Sequence, residues 1–256
     1  MQNNTFSGLF VGQNLITLKE VASTNTFLKD ALSKSTPLLE GTVIMAEKQF
    51  AGRGQADNTW VSDAGKNLTF SILLTPTFLP ADRQFELNKA VSVALNDVLR
   101  VYVGDTATIK WPNDIYIGNK KTGGLLIENM VSGITIRNAI IGIGLNVNQI
   151  IFPQSLKNVT SLKQALHKDY DLSVLLSEIC SSIEARYLQL KAGHFEKVTR
   201  DYLSHLYLLD EWSVFRSENK FFKGKITGVT PSGQLIVETF EGLLIFNNKE
   251  VEFINV

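Results

Sequence analysis

The sequence predicts an α+β protein with a larger N-terminal region and a small β-barrel at the C-terminus. Strand-like and helical patterns mix along the first 208 residues. After about residue 208, five short strand-like runs separated by turn residues follow in under 50 residues, which is typical of a small barrel. We therefore expect two domains, 1–208 and 209–256.

The first part of the chain alternates helices and strands around a polar loop. The sequence Ser-Thr-Asn at 23–25 predicts the start of a helix over 23–32, because these side chains can accept hydrogen bonds from the unpaired amides of a helix N-terminus. Residues 42–46 have the pattern of a buried strand, and a long polar loop follows over 49–60. Branched residues and phenylalanine predict a strand over 67–74, and apolar residues at helical spacing predict a helix over 85–103.

Strands and then two helices are expected before the barrel. The strands are expected at 108–111, 115–117, 123–128, 134–137 and 139–147. Ser132 and Gly133 predict a tight turn. An apolar stripe predicts a helix that begins near Ser173, and a second helix is expected over 195–207. The barrel strands are expected at 212–216, 221–229, 234–239, 243–246 and 251–254.

The composition is that of an ordered globular protein rather than a bulk polyanion binder. Hydrophobic residues make up 44% of the 256 residues and charged residues 20%. Lysine and arginine total 25, as do aspartate and glutamate, so the formal net charge is zero. Because a nucleic-acid binder usually carries a basic excess, we expect no nucleic-acid partner.

Cysteine usage and the short apolar segments predict a cytoplasmic protein without a membrane partner. The single cysteine, Cys180, excludes an intramolecular disulfide and a multi-cysteine metal site, and its place on an apolar helix stripe predicts a core residue. The first ten residues lack the pattern of a signal peptide. No stretch approaches the roughly 20 apolar residues of a membrane helix. His167, His194 and His205 show no metal-binding spacing.

The loop sequence Gly52-Arg53-Gly54-Gln55 is a candidate anion site. Glycines on both sides of an arginine allow the backbone to approach a ligand closely. The guanidinium is a rigid and permanently charged donor that suits carboxylate and phosphate. The alternative is an ordinary flexible surface loop that contains an arginine.

A second candidate segment is KWPNDIYIGNKKTGGLLIEN, over 110–129. Lys121 is expected between two strands, where its ammonium can meet an anionic ligand. The alternative is a solvated Asn-Lys-Lys hairpin turn. A third segment, GIGLNVN over 142–148, suits a buried strand that another group approaches closely. It lacks the third glycine of a dinucleotide fingerprint, and the chain contains no P-loop sequence.

Taken together, the motifs STNTFLKD, QFAGRGQADNTW, NLTFSILL, KWPNDIYI, KKTGGLLIEN and GIGLNVN resemble those of biotin–protein ligases, also called biotin–[acetyl-CoA-carboxylase] ligases. The resemblance covers about residues 15–205. It implies a mixed β-sheet with flanking helices, related to the class II aminoacyl-tRNA synthetase core, followed by an SH3-like barrel. Because only 22 residues precede Ser23, we expect the form without an N-terminal DNA-binding domain.

The resemblance also implies a two-step reaction. Biotin and MgATP give biotinyl-5′-AMP and pyrophosphate, and the biotinyl group then passes to a lysine of a biotin carboxyl carrier domain of acetyl-CoA carboxylase or a related carboxylase. The cofactors implied are therefore ATP, biotin and Mg²⁺ bound to ATP, with no metal site on the protein itself. The chain is expected to be a monomer or a homodimer.

Motif matches assign each site residue a role through the resemblance. Catalytic roles fall to Arg53, Lys121 and Asp114, of which Asp114 is expected to orient the incoming lysine amine. The biotin-binding residues are Ser23, Thr24, Asn25, Gln49, Arg53, Gly54, Gln55, Lys121 and Gly124. The nucleotide-binding residues are Arg53, Trp60, Lys121 and Asn146.

The loop departs from the family pattern at Ala56 and Asp57, where a glycine usually follows one residue after the G-R-G-Q sequence. An aspartate adopts positive backbone angles less easily than glycine and adds negative charge, so loop closure is expected to be harder. Alternative functions are a lipoate–protein ligase, a non-catalytic biotin-binding module and a ligase-repressor that binds DNA.

Overall fold

Seven strands form one mixed sheet in the computed structural model, which describes residues 8–34, 38–55 and 58–254. The strands are β1 (Leu15–Val21), β2 (Val43–Gln49), β3 (Leu68–Leu74), β4 (Ala107–Lys110), β5 (Asp114–Ile117), β6 (Lys120–Ser132) and β7 (Thr135–Leu145). Their order in the sheet is β1-β2-β3-β7-β6-β5-β4. Only β1 and β2 run parallel among these described strands, and the other neighbours pair antiparallel. The predicted mixed sheet is confirmed.

Helices cover both faces of this sheet. They are α1 (Thr24–Leu32), α2 (Phe85–Val103), α3 (Leu162–Leu166), α4 (Leu172–Lys191) and α5 (Phe195–Ser204), with short 3₁₀ turns at Ala81–Arg83 and Gly104–Thr106. On one face, Leu28 of α1 packs against Ile44 and Leu73. On the other face, α2, α4 and α5 pack in the larger core with Phe70 and Ile141. Because adjacent strand residues point to opposite faces, β2, β3 and β7 bury apolar side chains on both sides.

Two strand predictions differ from the structure. The sequence patterns did not predict β1, an edge strand whose residues are all exposed or half-buried, so its alternation is weak. The strands predicted at 134–137 and 139–147 are one strand, β7, which continues through a register shift against β6 at the exposed residue Arg137. The short helix α3 was also not predicted.

The helix predicted over 195–207 ends earlier, at Ser204. Ile109 donates its backbone amide to the carbonyl of His205, and Tyr207 donates its amide to the carbonyl of Ile109, both at 2.8 Å. The chain after α5 therefore pairs with β4 instead of continuing the helix. Cys180 is fully buried in the core, as predicted, and burial raises the pKa of its thiol to about 12.

The last strands form a separate antiparallel sheet, as the turn pattern predicted. They are β8 (Trp212–Ser217), β9 (Lys220–Val229), β10 (Leu235–Thr239), β11 (Gly242–Phe246) and β12 (Glu252–Ile254), in the order β11-β10-β9-β8-β12. Every predicted boundary lies within one residue of the observed one. Phe215, Ile226 and Leu235 belong to the same hydrophobic cluster as α2.

A buried hydrogen bond joins the two sheets near the KWPND motif. Trp111 Nε1 donates to the carbonyl of Gly233 at 2.9 Å. Gly233 has a positive φ, and a Cβ there would lie 2.4 Å from the ring of Phe85, so only glycine fits. The C-terminal sheet is therefore held against the start of α2 and the motif. Across 8–34, 38–55 and 58–254, no helix is long and apolar enough to cross a membrane.

Candidate active site

A cavity of about 440 Å³ lies where α1, the loop after β2, the strands β5–β7 and the C-terminal sheet meet. Nearly all the site residues expected from the motifs line this cavity: Ser23, Thr24, Asn25, Gln49, Arg53, Gly54, Gln55, Trp60, Asp114, Lys121 and Gly124. The fold thus brings the three candidate segments to one place, although they are far apart in sequence.

The N-terminus of α1 forms one side of the cavity through buried polar side chains. The backbone amide and the hydroxyl of Thr24 donate to Gln49 Oε1 at 2.7 and 3.1 Å. Ser71 Oγ lies 2.7 Å from Thr24 Oγ1 and 2.6 Å from Asn25 Oδ1. The expected capping role of the Ser23 side chain is wrong, because Ser23 makes no cap hydrogen bond. Gln49 supplies an acceptor for the start of the helix instead.

Glu128 connects this polar cluster to the loop arginine. Asn25 Nδ2 donates to Glu128 Oε2 at 2.8 Å, and Arg53 Nη2 donates to the same oxygen at 2.7 Å. Arg53 Nη1 lies 3.4 Å from the other carboxylate oxygen. Neither Glu128 nor Ser71 was predicted as a site residue from the sequence. The signal for Glu128 was an acidic residue at the end of the mostly apolar run Gly-Leu-Leu-Ile of β6.

Lys121 and Asp114 form an ion pair across β5 and β6, with Lys121 Nζ 2.6 Å from Asp114 Oδ1. Both side chains are about one-third exposed. Lys121 lies within β6 and not between two strands, so that expectation is corrected. The pairing of β5 with β6 changes register next to Lys121. Lys121 pairs with Tyr116, whereas Gly123 and Gly124 pair with the two preceding residues of β5. A Cβ at Gly124 would lie 3.0 Å from Asp114 Oδ1, so the glycine leaves room for the pair.

The glycines of β7 allow two cavity side chains to approach the strand, as the GIG pattern predicted. A Cβ at Gly142 would lie 2.3 Å from Asn25 Oδ1. A Cβ at Gly144 would lie 2.4 Å from the indole ring of Trp60. Real Cβ atoms do not approach other atoms this closely, so glycine at these positions determines where Asn25 and Trp60 lie.

The C-terminal sheet contributes a side of the cavity that the sequence analysis did not assign. Asn248 Nδ2 donates to Gln55 Oε1 of the loop at 2.8 Å. Lys110, at the end of β4, lines the cavity with Phe253 of β12. The ammonium of Lys110 lies 4.8 Å from the centroid of the Phe253 ring. Both sheets therefore shape one site.

Comparison with known proteins agrees with this geometry. Residues 18–146 match the Biotin/lipoate A/B protein ligase family. The chain is 33% identical over 245 residues to the bifunctional ligase/repressor BirA of Bacillus spizizenii, an alignment that spans 94% of this chain and 74% of that protein. The chain belongs to the Biotin/lipoate A/B protein ligase family.

Other members of this ligase family match over nearly their whole length. The biotin–[acetyl-CoA-carboxylase] ligase of Paracoccus denitrificans is 28% identical over 241 residues, which are 91% of this chain and 99% of that protein. The solved structure of the Aquifex aeolicus biotin protein ligase in complex with biotin and ATP has a TM-score of 0.78 and 29% identity. It covers 94% of this chain and 98% of its own chain. The fold expected from the resemblance is therefore confirmed.

Asn146 differs from the other expected site residues of this ligase-family chain, because it is not among the described residues that line the cavity. Its side chain is buried, and Nδ2 donates to the carbonyl of Thr160 at 3.1 Å. Its backbone amide donates to Thr122 at 2.8 Å. Its role in nucleotide binding stays a prediction. The departures at Ala56 and Asp57 lie outside the described residues.

The cavity of this ligase-family chain suits anionic and polar ligands. Within the described ranges, no group of three or more His, Cys, Asp or Glu side chains could hold a metal ion. Arg53 and Lys121 place two positive charges on the cavity lining. Trp60 Nε1 is a buried donor without an acceptor among the described residues. A ligand with phosphate and carboxylate groups would meet complementary charge there.

Proposed function

We propose that this chain is an ATP-dependent biotin–protein ligase. It converts biotin and MgATP to biotinyl-5′-AMP and pyrophosphate, and then transfers biotin to a lysine of a biotin carboxyl carrier domain of acetyl-CoA carboxylase or a related carboxylase. The observation that carries the proposal is the convergence of Arg53, Lys121 and Asp114 with the α1 polar cluster in one cavity. The similarity to the biotin–[acetyl-CoA-carboxylase] ligase of Paracoccus denitrificans and the biotin protein ligase of Aquifex aeolicus supports it.

The first step needs positive charge because two anions must meet. The carboxylate of biotin attacks the α-phosphate of ATP, and charge develops on the phosphate oxygens in the transition state. Lys121 and Arg53 supply that charge. In the structure Lys121 is paired with Asp114, and Arg53 is paired with Glu128. Mg²⁺ arrives bound to the phosphates of ATP. Thr24, Asn25 and Gln49 are the polar groups that would hold the ring of biotin.

Asp114 acts in the second step, in which the carrier lysine attacks the adenylate. Its carboxylate lies on the cavity lining beside Lys121. An anionic group there attracts the incoming ammonium and can accept its proton, directly or through water. The amine nitrogen then attacks the biotinyl carbonyl, and AMP leaves.

The decisive experiment is incubation with biotin, MgATP and a biotin carboxyl carrier domain, followed by intact mass measurement. We expect the carrier to gain one biotinyl group only when ATP is present. Parallel incubation with lipoic acid tests the lipoate–protein ligase alternative within the same family. Binding of biotin without biotin-dependent pyrophosphate release would identify a non-catalytic biotin-binding module and reject the ligase.

Further proposals concern domain organisation, partners and location. The separation of the two sheets supports a domain boundary near residue 208. The zero net charge supports the absence of specific operator binding, which a gel shift at physiological salt would test. The single cysteine fits a reducing cytoplasmic setting. The chain is a monomer or a homodimer, and sedimentation velocity distinguishes the two.

Arg53→Ala is expected to slow adenylate formation or to weaken adenylate retention. A lost charge-assisted hydrogen bond in a closed site is worth about 1.5–3 kcal/mol, or roughly ten- to hundredfold. The measurement is biotin-dependent pyrophosphate release, together with the dissociation rate of biotinyl-5′-AMP. Lys48→Ala is the matched control, because Lys48 also pairs with a carboxylate, Glu20, at similar exposure, but does not line the cavity. Wild-type rates in the Arg53 variant would reject its role.

A further inference from the structure

Lys110 is a cavity-lining cation held by aromatic side chains. Its ammonium donates to Tyr116 Oη at 3.1 Å and lies 5.0 Å from the centroid of the Tyr116 ring. Phe253 of the C-terminal sheet is a second aromatic neighbour of this ammonium, with the ring centroid 4.8 Å away. Contacts of this kind attract and orient a cation without neutralising its charge.

Lys110 differs from Arg53 and Lys121 in its charge balance. Arg53 is paired with Glu128, and Lys121 is paired with Asp114. For Lys110, by contrast, no carboxylate oxygen of the described residues lies within ion-pair distance, 4.0 Å. Burial lowers the pKa of Lys110, while the charge of Asp114 raises it and that of Lys121 lowers it. A half-buried charge without a counter-ion is costly unless a ligand compensates it.

We propose that Lys110 binds the phosphates of ATP that leave as pyrophosphate. This inference rests on the proposed ligase function. When the biotin carboxylate attacks the α-phosphate, the bond between the α-phosphorus and the bridging oxygen breaks, and its electron pair goes to the pyrophosphate. Lys110 keeps its proton and contacts these phosphates both before and after that bond breaks.

The position of Lys110 favours the leaving phosphates over the biotin carboxylate. Lys110 pairs with Asp114 across β4 and β5, and Asp114 holds Lys121, so Lys110 lies near the lysine matched to the α-phosphate. It makes none of the hydrogen bonds that join Asn25, Glu128 and Arg53 on the α1 side of the cavity. A phosphate chain that passes Lys121 would meet Lys110 next, against the C-terminal sheet.

The test uses Lys110→Met, which keeps the aliphatic stem and removes the charge. We expect the KM for ATP to rise about ten- to hundredfold, the loss of one charge-assisted contact, with little change in the KM for biotin. The affinity for inorganic pyrophosphate, measured by calorimetry, should fall by a similar factor. With purified biotinyl-5′-AMP supplied, transfer to the carrier should proceed at the wild-type rate, because no pyrophosphate is present in that step.

Two further variants separate binding from a structural role. Lys110→Arg restores the charge and should recover part of the ATP affinity. Lys120→Met is the control, because Lys120 is an exposed lysine at the start of β6 that does not line the cavity. The Lys110→Met protein should be at least as stable to urea as the wild type, since a half-buried unpaired charge is removed. A purely structural lysine would give the opposite result.

Several outcomes would overturn the proposal. Unchanged pyrophosphate affinity together with an unchanged KM for ATP would remove Lys110 from the phosphate site. A raised KM for biotin, or slow transfer from supplied adenylate, would assign it to biotin or the carrier instead. If the wild type itself released no pyrophosphate with biotin, the ligase function would fail, and the calorimetric comparison would still decide whether Lys110 binds pyrophosphate.

Discussion

Replacing Lys121 with glutamine is expected to slow biotin-dependent pyrophosphate release by roughly 10²–10³-fold, the usual loss when one preorganised donor to a developing oxyanion is removed. Lys121 lines the cavity and lies 2.6 Å from Asp114. Glutamine has a similar length but no charge, so it cannot bring the carboxylate of biotin and the α-phosphate together. The fold should stay intact, because an ion pair this exposed contributes only about 0–1 kcal/mol to stability.

Lys120→Gln is the matched control for this prediction. Lys120 is the preceding residue of β6, and its side chain is exposed. We expect its removal to leave the rate of pyrophosphate release within about twofold of the wild type, since surface charges away from a site have small effects. Equal rates for the wild type and the Lys121 variant, measured at saturating biotin and ATP, would show that Lys121 does not act on the reacting groups.

The largest expected effect on stability comes from Glu184→Ala. Glu184 lies on α4 and is 5% exposed. Its carboxylate accepts hydrogen bonds from the backbone amides of Leu9, Phe10 and Val11 at 2.6, 2.7 and 2.8 Å. Alanine would leave these amides without their acceptor, so we expect the free energy of unfolding to fall by about 3 kcal/mol or more. Urea denaturation measures this change.

Glu178→Ala on the same helix is the comparison variant. Glu178 is exposed and accepts one hydrogen bond, from the hydroxyl of Tyr102. Its loss should lower the free energy of unfolding by under about 1 kcal/mol, as is usual for surface substitutions. Similar urea midpoints for the Glu184 and Glu178 variants would mean that the N-terminal segment is not held to α4 in solution.

Local patterns in the sequence determined much of this protein. The helix Phe85–Val103 was predicted to the residue, because its periodicity depends on neighbours three and four positions apart. The C-terminal strands were predicted within one residue, because turn residues separate them. The motifs also named Arg53, Lys121 and most other residues that line the cavity. These features depend on residues that are close together in sequence, so the residue types alone are enough to predict them.

Only the tertiary structure decided which side chains face one another. Glu128 and Arg53 are 75 positions apart in sequence. They meet because β6 pairs in the sheet at a particular register. Lys110 lies against Phe253 because the C-terminal sheet packs beside β4. Helix α5 ends at Ser204 because the residues after it pair with β4. Such contacts join residues that are distant along the chain. They depend on strand register and on the packing of two sheets, which no local pattern encodes.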